Sequence, residues 1–313
     1  MKQDLIERIE KLKKKRDVII LAHNYQLPEV QDIADFVGDS LDLSRKAANT
    51  TASVIVFCGV QFMAETAKIL SPEKTVLLPD LRAGCPLADM VTPEKLRQRK
   101  EENPDATVIC YINSSAEVKA ESDICCTSAN AQKVVESVPN NREIIFIPDK
   151  WLGNYVLNRT NRKLILWNGH CPTHLMISRE NILLLKERHP DAHVLVHPEC
   201  TRSVVDIATH TLSTNGMVDY VKRSKARDFI IGTEVGILHR LKKENPEKRF
   251  YPASVLAECP NMKLINLEKI LWSLENMKYE IEISEEIRIR AKEAVSKMLE
   301  INNERGKDYF NQY

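Results

Sequence analysis

The dipeptide Cys-Pro occurs three times in this chain, at Cys85-Pro86, Cys171-Pro172 and Cys259-Pro260, at intervals of 86 and 88 residues. Near-equal spacing across a chain of 313 residues marks one unit used three times. Such a repeat constrains a fold more tightly than local propensity, because every copy must take the same path.

The flanking segments keep the same register. Each unit opens with an apolar run that breaks into polar residues, at 17–25 (DVIILAHNY), 107–113 (TVICYIN) and 193–199 (HVLVHPE), and each reads as a buried strand. A short apolar piece ending in hydroxyl residues follows, at 36–40 (FVGDS), 124–128 (ICCTS) and 211–214 (TLST), where Ser and Thr suit helix N-caps. A further strand is expected at 54–57, 144–147 and 229–231, then a helix, then a last strand at 76–78, 164–167 and 250–255 before the Cys-Pro. Capped helices from Thr92 and Ser178 lead into the next copy. An N-terminal helix with Leu5, Ile6, Ile9 and Leu12 on one face plays that part for the first.

Strands alternating with helices imply parallel sheets. The chain therefore reads as an α/β protein of three similar small parallel-sheet domains, related by pseudo-threefold symmetry around a central active site. The units span 1–88, 89–174 and 175–262, with a helical tail at 263–313. The tail's stripe of Ile287, Ala291, Ala294, Met298 and Ile301 needs a surface to bury against, and the first unit is the expected one.

In such sheets ligands bind beyond the carboxyl ends of the strands, so the polar residues that end the runs are the candidates. His23 and Tyr25 become Tyr111 and Asn113 in the second unit, then His197 and Glu199 in the third. Ser40 becomes Ser128, then Thr214 with Ser213 beside it. Threefold symmetry would aim all of these and the three cysteine loops into one cavity. Hydroxyl-capped helix starts suit an acidic substrate, since unpaired N–H groups and the helix dipole attract anions. His23, His197, Tyr25, Tyr111 and Glu199 are groups whose proton affinity can be tuned for acid and base work. His174, just past the second Cys-Pro, can also reach the cavity, although the other units have no counterpart.

Three thiolates from Cys85, Cys171 and Cys259 could hold zinc with an open position, or an iron-sulfur cluster with one iron lacking a protein thiolate. Cys58, Cys110, Cys125, Cys126 and Cys200 read as core. A formal charge of +1 with interspersed acids and bases leaves no basic face for nucleic acid. No apolar run approaches the length of a membrane span, and the charged N-terminus lacks the form of a secretory signal, so a cytoplasmic location with reduced cysteines is expected. No glycine-rich phosphate loop is present, so a nucleotide is not expected as ligand.

The segments LAHNYQLPEVQDIADFVGDS, CYINSSAEVKAESDICCTSAN, GHCPTH, VHPEC, STNGM and ECPNM resemble the quinolinate synthase family across almost the whole chain. The resemblance implies one 4Fe-4S cluster on Cys85, Cys171 and Cys259. It implies condensation of iminoaspartate with dihydroxyacetone phosphate to quinolinate, the precursor of NAD, with loss of phosphate and water, and a functional link to an enzyme that makes iminoaspartate. By position, Tyr25, Tyr111, His197 and Glu199 correspond to proton-transfer and positioning residues. His23, Ser40, Asn113, Ser128, Ser213 and Thr214 correspond to binders of carboxylate and phosphate. The residues by themselves leave two other readings open, a 4Fe-4S hydro-lyase acting on a hydroxy acid and a zinc-stabilised anion-binding protein. A cysteine-rich C-terminal motif found in some members is absent after Cys259, so thiol regulation through it is not expected.

Overall fold

Apolar strands bounded by helices assemble, in the computed structural model, into three four-stranded sheets whose strands are all parallel. The structure describes residues 2–303. The first unit runs α1 (Lys2–Arg16), β1 (Val18–His23), α2 (Pro28–Ile33), β2 (Phe36–Gly38), α3 (Ser40–Asn49), β3 (Val54–Cys58), α4 (Gln61–Leu70) and β4 (Thr75–Leu77). The second repeats that order with α5 (Pro93–Glu102), β5 (Thr107–Tyr111), α6 (Ala116–Ala120), β6 (Ile124–Cys126), α7 (Ala131–Ser137), β7 (Ile144–Ile147), α8 (Lys150–Leu157) and β8 (Leu164–Leu166). A short turn of helix, α9 (Pro172–Leu175), leads to the third. That unit contains α10 (Arg179–Arg188), β9 (His193–Val196), α11 (Arg202–Val205), β10 (His210–Thr211), α12 (Thr214–Arg223), β11 (Asp228–Gly232), α13 (Ile237–Glu244) and β12 (Arg249–Pro252). The tail holds α14 (Leu267–Asn276) and α15 (Glu285–Asn303).

Each sheet has the same order, with the unit's first strand between its second and third. Central strands such as β3 (VIVFC) and β7 (IIFI) are buried along their whole length, as expected where helices cover both faces of a parallel sheet. The repeat extends to single hydrogen bonds. Asp35, Asp123 and Thr209 each reach back fifteen residues to a backbone N–H near the start of their unit's first strand, at its third residue in the first unit and its second in the other two. Asp35 takes that of Ile20 at 2.7 Å, Asp123 that of Val108 at 2.8 Å, and Thr209 that of Val194 at 2.9 Å. Helices α5 and α10 start as expected, with Thr92 and Ser178 accepting the N–H groups of Lys95 and Asn181.

Two expectations need correction. The last strand of the third unit ends at Pro252 rather than at residue 255, because the chain turns there: the Ser254 hydroxyl accepts the Leu256 N–H and the Ser254 carbonyl accepts the Ala257 N–H. The tail stripe does not rest chiefly on the first unit. Although α14 packs on α1, α15 lies mainly against α6 and β6 of the second unit, with a smaller contact on α4. Sheet edges account for this route, since an uncovered edge strand offers unpaired backbone groups. The segment between the two helices pairs with edge strand β4 through Leu78 N–H to Tyr279 O (3.0 Å) and Ile281 N–H to Val76 O (2.8 Å). The last helix then covers β6, the edge of the second sheet, burying Ala291, Ala294, Val295 and Met298. Lys297 to the Asp123 carbonyl (3.0 Å) and Arg290 to Glu121 (3.1 Å) fasten it there.

Candidate active site

Three tiers of loops meet where the carboxyl ends of the sheets converge. In the first tier His23 ends β1, Tyr111 ends β5, and His197 follows β9 directly. A two-residue turn then places Tyr25, Asn113 and Glu199. His23 and His197 are locked alike: Nδ1 of His23 accepts the N–H of Tyr25 (3.2 Å), and Nδ1 of His197 accepts that of Glu199 (3.3 Å). This network assigns the free proton of each neutral ring to Nε2. In His197 that nitrogen donates to the Ser128 hydroxyl at 3.1 Å.

The second tier is the turn before the third helix of each unit, and here the expected caps shift. The N-cap of α3 is Asp39, whose Oδ1 accepts the N–H groups of Leu41 and Asp42, so Ser40 is the first helical residue. The N-cap of α7 is Asn130, with no side-chain cap bond, so Ser128 lies in the preceding turn and bonds His197 instead. Ser213 is the N-cap of α12, accepting the Gly216 N–H, and Thr214 begins the helix. Asp and Asn are as good N-caps as Ser, so Asp39 and Asn130 can take the place expected of the serines.

The third tier is the cysteine loops, and one backbone bond recurs in all of them. The residue two before each cysteine accepts an N–H from the start of the unit's fourth helix: Gln61 to Ala83 O (2.7 Å), Lys150 to Gly169 O (2.9 Å) and Val235 to Ala257 O (2.9 Å). Gly169 leaves no room for a side chain, since an added Cβ would lie 2.3 Å from the Pro148 carbonyl oxygen.

One cavity takes residues from all three units. Its walls include Cys85, Cys171 and Cys259, and His23, Tyr25, Tyr111 and Asn113 from the strand ends. Ser40, Ser128, Thr214, His174, His197 and Glu199 complete the expected set. Ser213 is not a wall residue and stands behind Thr214 as its helix cap. The remaining cysteines, Cys58, Cys110, Cys125, Cys126 and Cys200, are fully or almost fully buried in the core.

The electrostatics separate acids from bases. Burial pushes the phenols of Tyr25 and Tyr111 well above their usual range, so both stay neutral hydrogen-bond donors. Burial, reinforced by the neighbouring His197, lowers His23 to about 3 and keeps it neutral. Burial alone would raise Glu199, but the imidazoles of His174 and His197 outweigh it and hold the carboxyl below its usual range. Oε2 of Glu199 lies 3.0 Å from His174 Nδ1, off the axis of a hydrogen bond, and 3.2 Å from His197 Nδ1. His197 Nδ1 thus meets both a backbone N–H and a carboxylate. A neutral ring accepts from the first and a protonated ring donates to the second, so this pair can hold one proton in either of two places.

A chain of hydroxyls continues from there. His174 Nε2 bonds the Thr233 hydroxyl (2.9 Å), which bonds the Tyr25 phenol (2.5 Å), which bonds Thr214 (3.3 Å). Thr233 was not among the residues singled out in the sequence, because it follows β11 and the other units have no hydroxyl in its place. Asp39 was missed as well, although its position before an apolar helix is an N-cap signal.

Three half-buried thiols facing a shared cavity fit a metal group. Burial raises all three, to about 12 for Cys85, and no lysine or arginine is among their leading influences. A metal's own charge is what would make them thiolates. Asn113 Oδ1, His174 Nδ1 and Glu199 Oε1, all on the walls, are buried without a hydrogen-bond partner, so the cavity is built to meet polar atoms that the chain does not supply. Cys171, His174 and Glu199 also lie within 4.8 Å of one another and could take a single ion, but that would leave Cys85 and Cys259 without a role.

A family model described as "Quinolinate synthetase A protein" matches residues 7–300. The chain belongs to this family. It is 57% identical over 298 residues to a quinolinate synthase of Methanosarcina barkeri, covering 95% of this chain and 98% of that one. The quinolinate synthase of Dehalococcoides mccartyi strain BAV1 is 56% identical over 302 residues, 96% and 100% of the two chains. That of Thermodesulfovibrio yellowstonii is 55% identical over 295 residues, 94% and 97%. Membership of the quinolinate synthetase A family disfavours the hydro-lyase and the anion-binding readings. Among the described residues, no helix is long and apolar enough to cross a membrane.

Proposed function

We propose that the protein is a quinolinate synthase of de novo NAD biosynthesis, condensing iminoaspartate with dihydroxyacetone phosphate and releasing phosphate and water. The observation that carries this reading is the convergence of three cysteine loops and an ionised Glu199 on one cavity, in a chain 57% identical to a curated quinolinate synthase. Cys85, Cys171 and Cys259 would hold one 4Fe-4S cluster, and bound there it supplies an open iron as a Lewis acid beside the substrates.

The protein's residues provide the rest. Glu199 is the general base, and His197 and His174 keep it charged between proton transfers. A proton taken by Glu199 can pass by His174 and the Thr233 hydroxyl to Tyr25. Tyr111, neutral and buried, donates to an oxygen that leaves or gains charge. His23 presents a neutral Nε2–H, and with Asn113 it orients a substrate carboxylate. Ser40, Ser128 and Thr214, backed by Ser213, supply hydroxyl donors for carboxylate and phosphate, and walls such as Val60, Phe62 and Met63 exclude water. The three repeats, bounded near residues 88, 174 and 262, serve as one framework for this single site, in a protein that works in the cytoplasm. An iminoaspartate-forming enzyme is the functional neighbour, since that imine hydrolyses in water.

Cys85→Ala, Cys171→Ala and Cys259→Ala, purified without oxygen, test the reading. Each is expected to lose iron, sulfide and quinolinate formation while remaining folded. Retention of full iron by any one of them removes that cysteine from the ligand set.

A further inference from the structure

The pseudo-threefold symmetry makes visible a difference among the cysteine loops that single residues do not reveal. The residue two places after the third strand's last shared position is Val60 in the first unit, Asp149 in the second and Glu234 in the third. Asp149 and Glu234 are both completely buried. Each stands at the start of its unit's fourth helix and holds that helix's first N–H groups. Asp149 Oδ1 accepts those of Trp151 (2.8 Å) and Leu152 (2.7 Å), and Glu234 Oε2 accepts that of Gly236 (2.7 Å). In the third unit the second oxygen holds the cysteine. Glu234 Oε1 accepts the backbone N–H of Cys259 at 3.0 Å and meets Lys263 at 2.8 Å. In the second unit the Cys171 N–H bears on the Asp149 carboxylate, whose buried Oδ2 has no hydrogen-bond partner. An unsatisfied buried carboxylate oxygen is costly, and one pointed at a ligand loop has a ready use when that loop tightens.

We propose that Asp149 and Glu234 are positioning residues that fix Cys171 and Cys259 by their backbone N–H groups for a metal cluster. The inference rests on the cluster reading above. Glu234 ties a helix start to Cys259, and Asp149 has a free oxygen to do the same for Cys171 once the cluster draws that loop in, so the thiol's direction is set by a rigid element rather than by the loop. The Cys85 loop has Val60, which carries no carboxylate, in the equivalent place; it is held by the backbone bond from Gln61 to Ala83 and by Asn261, whose amide donates to the Gly84 carbonyl at 2.8 Å. Groups behind metal ligands change metal retention by about 10- to 100-fold when removed.

The test uses holoenzyme purified without oxygen and follows iron release to a chelator, with thermal unfolding as the control for folding. Glu234→Ala and Asp149→Ser are expected to release iron about 10- to 100-fold faster than the parent. Serine keeps a cap for Trp151 and Leu152 but has no second oxygen to offer Cys171, so Asp149→Ser isolates the role of Oδ2 from that of Oδ1. Glu234→Gln and Asp149→Asn keep the volume and one accepting oxygen but turn an amide NH2 to the other N–H, so they cannot serve the helix start and the cysteine together and are expected to release iron faster than the parent. Folded Glu234→Ala and Asp149→Ser proteins with the parent's release rate would overturn the proposal. So would folded amide variants that hold iron as the parent does, because the second accepting oxygen would then be irrelevant. A parent protein that carries no iron and sulfide at all would instead sink the cluster reading, which separates the two failures.

Discussion

Thr233 joins the two halves of the proposed proton path, and Thr233→Val removes the joint with little change of shape. The hydroxyl lies 2.9 Å from His174 Nε2 and 2.5 Å from the Tyr25 phenol, and the residue is 1% exposed, so water cannot readily replace it. Tyr25 keeps its 3.3 Å contact with Thr214, whereas His174 Nε2 is left facing methyl groups. A buried polar group deprived of its partner costs about 1–3 kcal/mol. If that cost is borne only in the transition state, at about 1.4 kcal/mol per decade, kcat falls about 5- to 150-fold. If the bond is merely structural, the same cost appears in the melting temperature and kcat is unchanged. Initial rates of quinolinate formation by anaerobic holoenzyme of matched iron content distinguish these outcomes, and Thr233→Ser is expected to restore the rate. A Thr233→Val enzyme with normal iron and the parent's kcat would refute the relay.

Tyr111→Phe is expected to keep its iron but lose about 100- to 10,000-fold in kcat, the range for a lost acid or base group, measured in the same assay. Met298→Ala empties a fully buried site between α15 and the second unit, and is expected to cost about 2–5 kcal/mol in denaturant unfolding. Lys13 is 9% exposed and pairs with Asp35 (2.8 Å) and Glu10 (2.9 Å). Burial works against its charge, but these carboxylates prevail and raise its proton affinity above the usual 10.5. Its stabilisation is therefore complete below about pH 10.5 and lost as pH rises further through the folded value. Melting temperatures of the parent and Lys13→Met are expected to differ at pH 8 and to converge toward pH 12.

The repeat carried most of the fold into view before any coordinates. Strand-ending residues 88 and 86 apart, such as His23, Tyr111 and His197, occupy equivalent places because parallel sheets leave few ways to connect the same elements. What stayed hidden depends on differences between copies. Asp149 and Glu234 share a position with an apolar Val60, so a search for residues alike in all three units passes over them. Thr233 matters through partners on other units, which only packing brings together. Ser40 and Ser128 looked like caps because their neighbours Asp39 and Asn130 compete for the same turn. The stripe on α15 announced burial without naming its surface, and an apolar stripe alone cannot say which sheet edge lies open.

Iron and acid-labile sulfide, measured on parent protein purified without oxygen and paired with quinolinate formation from freshly generated iminoaspartate and dihydroxyacetone phosphate, test the central claim most directly. The account predicts about four iron and four sulfide per chain, with turnover that disappears when the iron is removed and returns on reconstitution. Zinc in place of iron, or quinolinate formed at full rate by metal-free protein, would contradict it.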